Sequence, residues 1–178
     1  MEETILALRR LQGLGKVRFV GISGLHLSLF REVMEWVKVD QVQSYCHYCL
    51  NDTALVDFLA YFQTKGVAVF NSAPLAMRLL SDEGPPDWHP APPELMEKCA
   101  AAAVCRARGM DIGRLALQFA VARLDIPTTI VGTARPERIL QNIREIEEPL
   151  DSELLELVLE VLRPVHNLSW PSGLPENN

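Results

Sequence analysis

The chain has 178 residues, of which 48% are hydrophobic and 22% charged, a balance typical of a folded globular protein. Its net charge of −6 argues against a general affinity for nucleic acid or anionic membranes. No apolar run approaches the roughly 18–20 residues that span a bilayer, and the acidic amino terminus does not resemble a secretory signal. Four cysteines without such a signal predict free thiols in a reducing compartment, the cytoplasm.

Apolar periodicity and turn residues predict an alternation of helices and strands along the chain. The amino terminus is predicted to be helical from its first residues, and the proline-rich segment 81–93 is predicted to be a loop. Thr53 and Asp111 are predicted to cap helices, because a side-chain oxygen at that position accepts a bond from the first helical turn. The predicted strands are 16–23, 39–45, 67–72 and 127–132, and the predicted helices are 25–37, 53–66, 94–109, 111–124, 136–145 and 151–162, before an irregular tail at 163–178.

Near-continuous apolar strands that alternate with helices predict a parallel sheet covered by helices. An open doubly wound sheet and a closed (β/α)₈ barrel both fit this pattern. Polar residues collect just after the strands, as they do on the rim where barrel enzymes build their sites, and no G-x-G-x-x-G follows the first strand. A barrel needs eight strands and the sequence supplies four. We therefore predict an α/β fold that is half of a (β/α)₈ TIM barrel, an incomplete barrel forming one partial domain over 1–178.

The segment CHYC at 46–49 has the C-x₂-C spacing of a zinc site, with His47 between the cysteines. A structural zinc site would need a second tight pair of ligands. Cys99 and Cys105 are spaced too widely to supply that pair. We therefore predict no metal site.

The segment IPTTIVGTARPERILQNI at 126–143 joins a β-branched run to a helix that begins at Pro136. Gly132 and Thr133 leave the strand where a phosphate oxygen can approach backbone N–H groups, and the N-terminus of the following helix favours an anion. Arg138 and Asn142 lie one turn apart on that helix. From the spacing alone, an ordinary amphipathic helix with a solvated polar face is the stronger interpretation.

Four segments resemble the fifth to eighth strands of the aldo-keto reductases: KVRFVGISG, VDQVQSYCHY, VAVFNSAPLAMRLL and IPTTIVGTARPERILQNI. The resemblance extends from Leu8 to the tail and implies the carboxyl-terminal half of the family's barrel. Three further segments, SYCHYCLND, GPPDWHPAPPEL and WPSG, resemble the branch that contains L-galactose dehydrogenase and related aldose dehydrogenases. The resemblance implies an NAD(P)-dependent oxidoreductase that acts on a sugar or another aldehyde or alcohol.

The resemblance also implies residues that bind the nicotinamide dinucleotide. Ser23 corresponds to the serine that holds the nicotinamide amide, Arg138 to a residue that reaches the adenosine ribose or its phosphate, and Asn142 to one that bonds the adenine edge. Ser72 replaces the family's stacking aromatic, and Arg78 stands where glycine is usual. The complete set of expected cofactor-binding residues is Ser23, Tyr45, Ser72, Pro74, Leu75, Gly132, Thr133, Arg138, Gln141 and Asn142.

The choice between NAD and NADP turns on two of these positions. Gly132 stands where many NADPH-dependent relatives have a lysine for the 2′-phosphate, and Gln141 stands where several have a glutamate. A missing cation removes a charge-assisted bond worth roughly 1.5–3 kcal/mol to the phosphate. The resemblance therefore favours NAD over NADP.

The family transfers a hydride between nicotinamide and a carbonyl, with a tyrosine acid assisted by lysine, aspartate and histidine. The resemblance implies that these four catalytic residues belong to the early strands, which the matched segments do not include. We therefore expect no catalytic residue in this chain and no reductase activity from it alone. The alternative is a truncated isoform that binds dinucleotide or a partner without catalysis, with exposed strand edges that permit homo-oligomers. An unrelated α/β protein is a third interpretation.

Overall fold

The computed structural model describes residues 2–100 and 104–173. The predicted alternation of helices and strands is confirmed, although most elements are shorter than predicted. In chain order the elements are α1 (Glu2–Gly13), β1 (Gly21–Gly24), α2 (Leu27–Trp36), β2 (Gln41–Tyr45), α3 (Val56–Thr64), β3 (Ala68–Ser72), α4 (Pro93–Ala100), α5 (Val104–Ala107), α6 (Ile112–Val121), β4 (Thr128–Ile130), α7 (Pro136–Glu147), α8 (Ser152–Leu162) and a 3₁₀ turn (Arg163–Val165).

The strands of the described residues form one four-stranded sheet in the order β1-β2-β3-β4, and every neighbouring pair is parallel. The predicted parallel α/β architecture is thus confirmed. The register pairs Tyr45 with Ser72 and Ser72 with Ile130, so three strands end at nearly the same level. This alignment brings the segments that follow β2, β3 and β4 to one edge of the sheet.

The two faces of the sheet differ in burial. Val42 and Asn71 are fully buried at 0% exposure and point to the face that the helices cover. Alternate residues of a strand point to opposite faces, so Gln43 and Phe70 lie on the other face, where both are only partly buried. Ile130 on that face is 41% exposed. Among the described residues, this second face is therefore less completely covered than the first.

The core consists of two apolar clusters that meet at Phe119. The first lies under α2 and α3, where the rings of Phe30 and Phe62 pack edge to face with centroids 5.9 Å apart. The second lies among α4, α6 and α8 and includes Leu95, Leu115 and Leu154. The described helices include none with both the length and the apolar character required to cross a bilayer.

Two predicted boundaries are wrong for reasons that involve remote residues. β1 begins at Gly21 rather than at residue 16. Its partner strand β2 begins at Gln41, and Gly21 is the residue of β1 that pairs with Gln41. Thr53 does not cap α3, which begins at Val56. The Thr53 hydroxyl instead lies 3.0 Å from His166 Nε2 in the tail.

Other predicted boundaries hold or lie partly outside the described residues. Asp111 caps α6 as predicted, accepting a bond from Gly113 N at 2.7 Å. The predicted helix 94–109 appears as α4 and α5, with 101–103 outside the described residues. The tail contains one 3₁₀ turn, and its end at 174–178 also lies outside them.

Asp40 connects α1 to the sheet through three hydrogen bonds. Its Oδ2 accepts bonds from Arg9 Nη1 at 2.6 Å, from Val20 N at 2.7 Å and from Gln12 Nε2 at 3.3 Å. The Arg9 guanidinium holds the pKa of this carboxyl below its ordinary value of 3.8, and the Val20 N–H adds to that effect against burial. A depressed pKa means that the ionised carboxylate stabilises the folded state.

We expect Asp40→Asn to lower the free energy of unfolding by about 1–2 kcal/mol at pH 7, because it removes a charge-assisted acceptor. The contribution of Asp40 is present above pH 3.8 and is lost as the pH falls through the lower folded-state pKa. Urea unfolding at pH 7 and pH 3 should therefore show a smaller difference between variant and wild type at pH 3. Asp87→Asn, at an exposed position, serves as the control. If Asp40→Asn and wild type differ in stability by the same amount at both pH values, the ionised Asp40 carboxylate is not the source of the stabilisation.

Candidate functional site

A groove of about 340 Å³ opens at the carboxyl ends of β2, β3 and β4. It contains side chains from the ends of these strands and from the segments that follow them. Its lining residues are Gln43, Tyr45, Ser72, Ala73, Pro74, Leu75, Met77, Arg78, Ile130, Val131 and Gly132.

The turn after β3 forms one wall of the groove and has an unusual backbone. Ala73, Ala76, Met77 and Arg78 have φ values of 57°, 46°, 52° and 76°, in the left-handed region that favours glycine. Each such residue costs roughly 1–2 kcal/mol relative to an ordinary conformation. Strain of this kind persists where the surrounding structure enforces it, and it is concentrated at ligand-binding sites. The φ of Arg78 is one that glycine adopts without strain.

His89 of the proline-rich loop holds this turn in place. Ala91 N donates to His89 Nδ1 at 3.1 Å, so the ring proton is on Nε2, which donates to Ala76 O at 3.0 Å. The imidazole packs edge to face against Trp170, with centroids 5.0 Å apart. The long loop and the tail therefore both support the strained wall of the groove.

The structure brings together half of the residues expected from the sequence to bind a cofactor. Those that line the groove are Tyr45, Ser72, Pro74, Leu75 and Gly132. Those that do not line it are Ser23, Thr133, Arg138, Gln141 and Asn142.

Among the residues in the groove, Tyr45 offers the clearest polar group. Burial, with a smaller contribution from Cys46, raises the pKa of the Tyr45 hydroxyl, which therefore stays protonated at neutral pH and can donate a hydrogen bond. The Ser72 hydroxyl already donates to Ser44 O at 2.9 Å. A Cβ at Gly132 would meet no described atom within 4 Å, so the backbone there is open to an approaching group.

The helical residues have partners within the protein. Arg138 Nη2 lies 3.2 Å from Asp111 Oδ2, and Gln141 Nε2 donates to Glu145 Oε1 at 2.6 Å. Asn142 is only 7% exposed. In this structure Arg138 and Gln141 therefore form intramolecular contacts, and either would have to exchange its partner to reach a ligand.

Two further expected residues lie near strand ends. The Thr133 hydroxyl accepts a bond from Arg135 N at 3.1 Å and so shapes the entry to α7. Ser23 is exposed on β1 and pairs with Gln43, which itself lines the groove. Gln43 was not among the predicted site residues, although its position two residues before Tyr45 places both on the same face of β2.

The CHYC segment is a buried structural element. Burial, followed by the nearby Asp52 carboxylate, raises the pKa of the Cys46 thiol to about 12, and burial also raises that of Cys49 well above its ordinary value. Both thiols are therefore protonated and poor nucleophiles at neutral pH. His47 Nδ1 lies 3.0 Å from Asp52 Oδ2. No group of three or more potential metal ligands occurs among the described residues.

A parallel α/β sheet with a ligand-sized groove at the carboxyl ends of its strands defines a class of proteins that bind small molecules at the strand rim. The model of the aldo/keto reductase family matches residues 1–163, so the chain belongs to that family. It is 44% identical over 185 residues to L-galactose dehydrogenase of Arabidopsis thaliana, an alignment that covers 99% of this chain and 58% of the relative. The chain thus spans little more than half the length of that relative.

Solved structures of the same family share the fold. A Bacillus halodurans aldo-keto reductase in its holo form aligns with a TM-score of 0.68 at 20% identity, covering 97% of this chain and 58% of that one. The glycerol dehydrogenase of Gluconobacter oxydans aligns with a TM-score of 0.61 at 18% identity, covering 94% and 55%. The sheet and helices described above are therefore an arrangement found in aldo-keto reductases.

Proposed function

We propose that these 178 residues form the carboxyl-terminal half of an aldo-keto reductase barrel, bind a nicotinamide dinucleotide in the groove, and do not catalyse the reaction alone. The observation that carries the proposal is the groove itself, in which Tyr45, Ser72 and Gly132 from three different segments meet. Family membership makes a nicotinamide dinucleotide the expected occupant.

The half-barrel interpretation is supported by the shape of the sheet. β1 and β4 each pair with a single strand in the described part of the chain, which leaves two edges that can accept a further strand. The sheet face that carries Gln43 and Phe70 is the less buried one, as expected for the interior of a barrel that lacks its other strands. The match to only 58% of L-galactose dehydrogenase is consistent with this interpretation. We propose that the edges pair with a complementary segment or, failing that, with another copy of the chain.

The groove suits the polar groups of a dinucleotide. The protonated Tyr45 hydroxyl can donate to the nicotinamide amide, while the segment of Pro74 and Leu75 provides a backbone wall on the pyrophosphate side. Gly132 leaves room for a phosphate to approach the main chain. When bound, the nicotinamide supplies the hydride chemistry. The residues of this chain would hold and orient it.

The proposed cofactor is NAD rather than NADP, since Gly132 provides no cation for a 2′-phosphate. The proposed substrate of the complete enzyme is a sugar, because L-galactose dehydrogenase is the relative at 44% identity. The cysteines are free and buried, which supports a reducing compartment such as the cytoplasm.

A second candidate function is a module that binds dinucleotide without taking part in catalysis. This function is favoured because the residues of this chain form the groove by themselves. The catalytic tyrosine, lysine, aspartate and histidine, in contrast, are expected in other strands. The two functions differ in what a complementary segment does. Activity restored by adding the missing strands supports the half-enzyme, and binding without restored activity supports the module.

Titration of the purified chain with NADH, followed by nicotinamide fluorescence, tests the proposal. We expect wild type to bind and Arg138→Ala to bind about tenfold more weakly, because a guanidinium contact to the adenosine side is lost. Stability should change by less than about 1 kcal/mol, since the Arg138–Asp111 pair is partly exposed. Arg144→Ala, an exposed arginine on the same helix, is the matched control.

The outcomes separate the binding role of Arg138 from a structural one. Equal NADH affinity of Arg138→Ala and Arg144→Ala, with lower stability of the first, would mean that Arg138 only anchors α7 to α6. Folded wild-type chain that does not bind NADH would contradict the dinucleotide proposal as a whole.

A further inference from the structure

One carboxylate, that of Glu83, is shared by two arginines, one of which lines the groove. Glu83 Oε2 lies 3.2 Å from Arg78 Nη2, and Glu83 Oε1 lies 3.4 Å from Arg135 Nη2. Among the ion pairs of the described residues, this is the one acidic side chain that faces two guanidinium groups. Each of its oxygens has a different cationic partner, which is the charge arrangement that a phosphate group would have in the same place.

The three residues come from three segments, and Arg78 is the one that lines the groove. It belongs to the strained turn after β3, with φ +76°. Arg135 is the N-cap residue of α7, and its side chain makes no capping hydrogen bond. Glu83 belongs to the proline-rich loop and is followed by Gly84, whose φ of +73° allows the loop to turn sharply. The carboxylate therefore links the turn after β3 to the beginning of α7.

The bridge is weak enough to be exchanged. The side chains of Arg78, Glu83 and Arg135 are 51%, 59% and 70% exposed. Water and salt screen ion pairs with this exposure, and such pairs hold their partners loosely. The pyrophosphate of a dinucleotide carries two negative charges and more acceptor oxygens than a single carboxylate, so it competes well for two guanidinium groups.

We propose that Glu83 is an internal counter-anion of the groove, which holds Arg78 and Arg135 in the free protein and is displaced by a phosphate group of the incoming dinucleotide. This inference rests on the proposed dinucleotide-binding function. Displacement releases Glu83 to solvent and transfers both guanidinium groups to the ligand. The loop that carries Glu83 is thereby freed when the cofactor enters, and Glu83 lowers the affinity for phosphate-bearing ligands.

Isothermal titration calorimetry of the full chain with inorganic pyrophosphate and with NADH tests this exchange. Glu83→Gln keeps the size of the side chain but removes the competing charge, and we expect it to tighten both ligands about threefold to fivefold. Adenosine, which has no phosphate, should bind both proteins equally. Glu97→Gln is the matched control, because it makes the same change at an exposed position on α4.

A mutant cycle between Glu83 and the pair of arginines separates this role from a general change in charge. In chains that already carry Arg78→Gln and Arg135→Gln, the additional Glu83→Gln should not alter pyrophosphate affinity, since its partners are absent. Circular dichroism spectra and thermal unfolding of each variant verify that it is folded. A comparison of NADPH with NADH then identifies the displacing group. A larger gain for NADPH indicates the 2′-phosphate, and an equal gain indicates the pyrophosphate.

Two results would overturn the inference, and they differ from failure of the proposed function. If NADH binds wild type and Glu83→Gln with equal affinity, Glu83 does not compete with the ligand although the dinucleotide site stands. If Glu97→Gln tightens pyrophosphate as much as Glu83→Gln does, the effect is one of net charge alone. If wild type binds no NADH but Glu83→Gln tightens pyrophosphate, the arginine pair is an anion site and the dinucleotide function fails.

Discussion

Replacing Asp52 with alanine should lower the free energy of unfolding by about 2–4 kcal/mol, because the substitution removes a buried acceptor from two donors at once. Asp52 is 2% exposed. Its Oδ2 lies 3.0 Å from His47 Nδ1, and its Oδ1 accepts a bond from Ala54 N at 2.9 Å. Without the carboxylate, the imidazole nitrogen and the Ala54 N–H would remain buried without these partners.

Urea unfolding of Asp52→Ala, Asp52→Asn and Asp87→Ala measures this effect. Asp52→Asn retains one carbonyl acceptor and should fall between wild type and Asp52→Ala. Asp87 is exposed in the proline-rich loop, so its replacement should change stability by no more than about 0.5 kcal/mol. A loss for Asp52→Ala no larger than that for Asp87→Ala would mean that the buried pair contributes little.

The same substitution connects stability to the groove. The segment that Asp52 stabilises begins at Cys46, directly after Tyr45, which lines the groove. Asp52 also exchanges two backbone hydrogen bonds with Cys49, at 2.8 and 3.1 Å. Loosening this segment should therefore weaken NADH binding at temperatures where the chain is still folded.

Replacing Gly132 with lysine should shift cofactor preference toward NADPH by about 10–100-fold, the effect expected for one charge-assisted bond to the 2′-phosphate. The backbone tolerates a side chain at this position, because Gly132 does not have a left-handed φ and its Cβ would meet no described atom within 4 Å. Gly132 lines the groove, so a lysine there would add its cation at the groove edge.

The NADPH-to-NADH affinity ratio is the measurement, with Gly132→Gln as a neutral control of similar length. The glutamine variant should leave the ratio close to that of wild type. The same ratio in the lysine and glutamine variants would show that the 2′-phosphate does not approach this position, and the basis for preferring NAD would be lost. Unchanged thermal stability of both variants would establish that the fold is preserved.

Features that depend on nearby residues could be predicted from the sequence. Asp111 caps α6 through Gly113 N, two residues away, as predicted. Pro136 begins α7 as its position in the sequence indicated. The alternation of strands and helices also followed from local periodicity, because the spacing of apolar residues reports which face of an element is buried.

The candidate site was predicted only in part, because its geometry depends on residues far apart in the chain. Arg138 was expected to face a ligand, but Asp111, 27 residues earlier, is its partner in this structure. Glu83 was not predicted as a site residue, and its partner Arg135 lies 52 residues further along the chain. No local pattern reports such a pairing.

The sequence by itself determined the α/β class, the parallel strands and the segments that resemble aldo-keto reductases, since apolar spacing and turn residues act over a few positions. Only the tertiary structure decided that Tyr45, Ser72 and Gly132 share one groove and that Glu83 links two arginines beside it. The physical reason is that strand order and register set which distant side chains meet. Register depends on packing across the whole sheet rather than on any single segment.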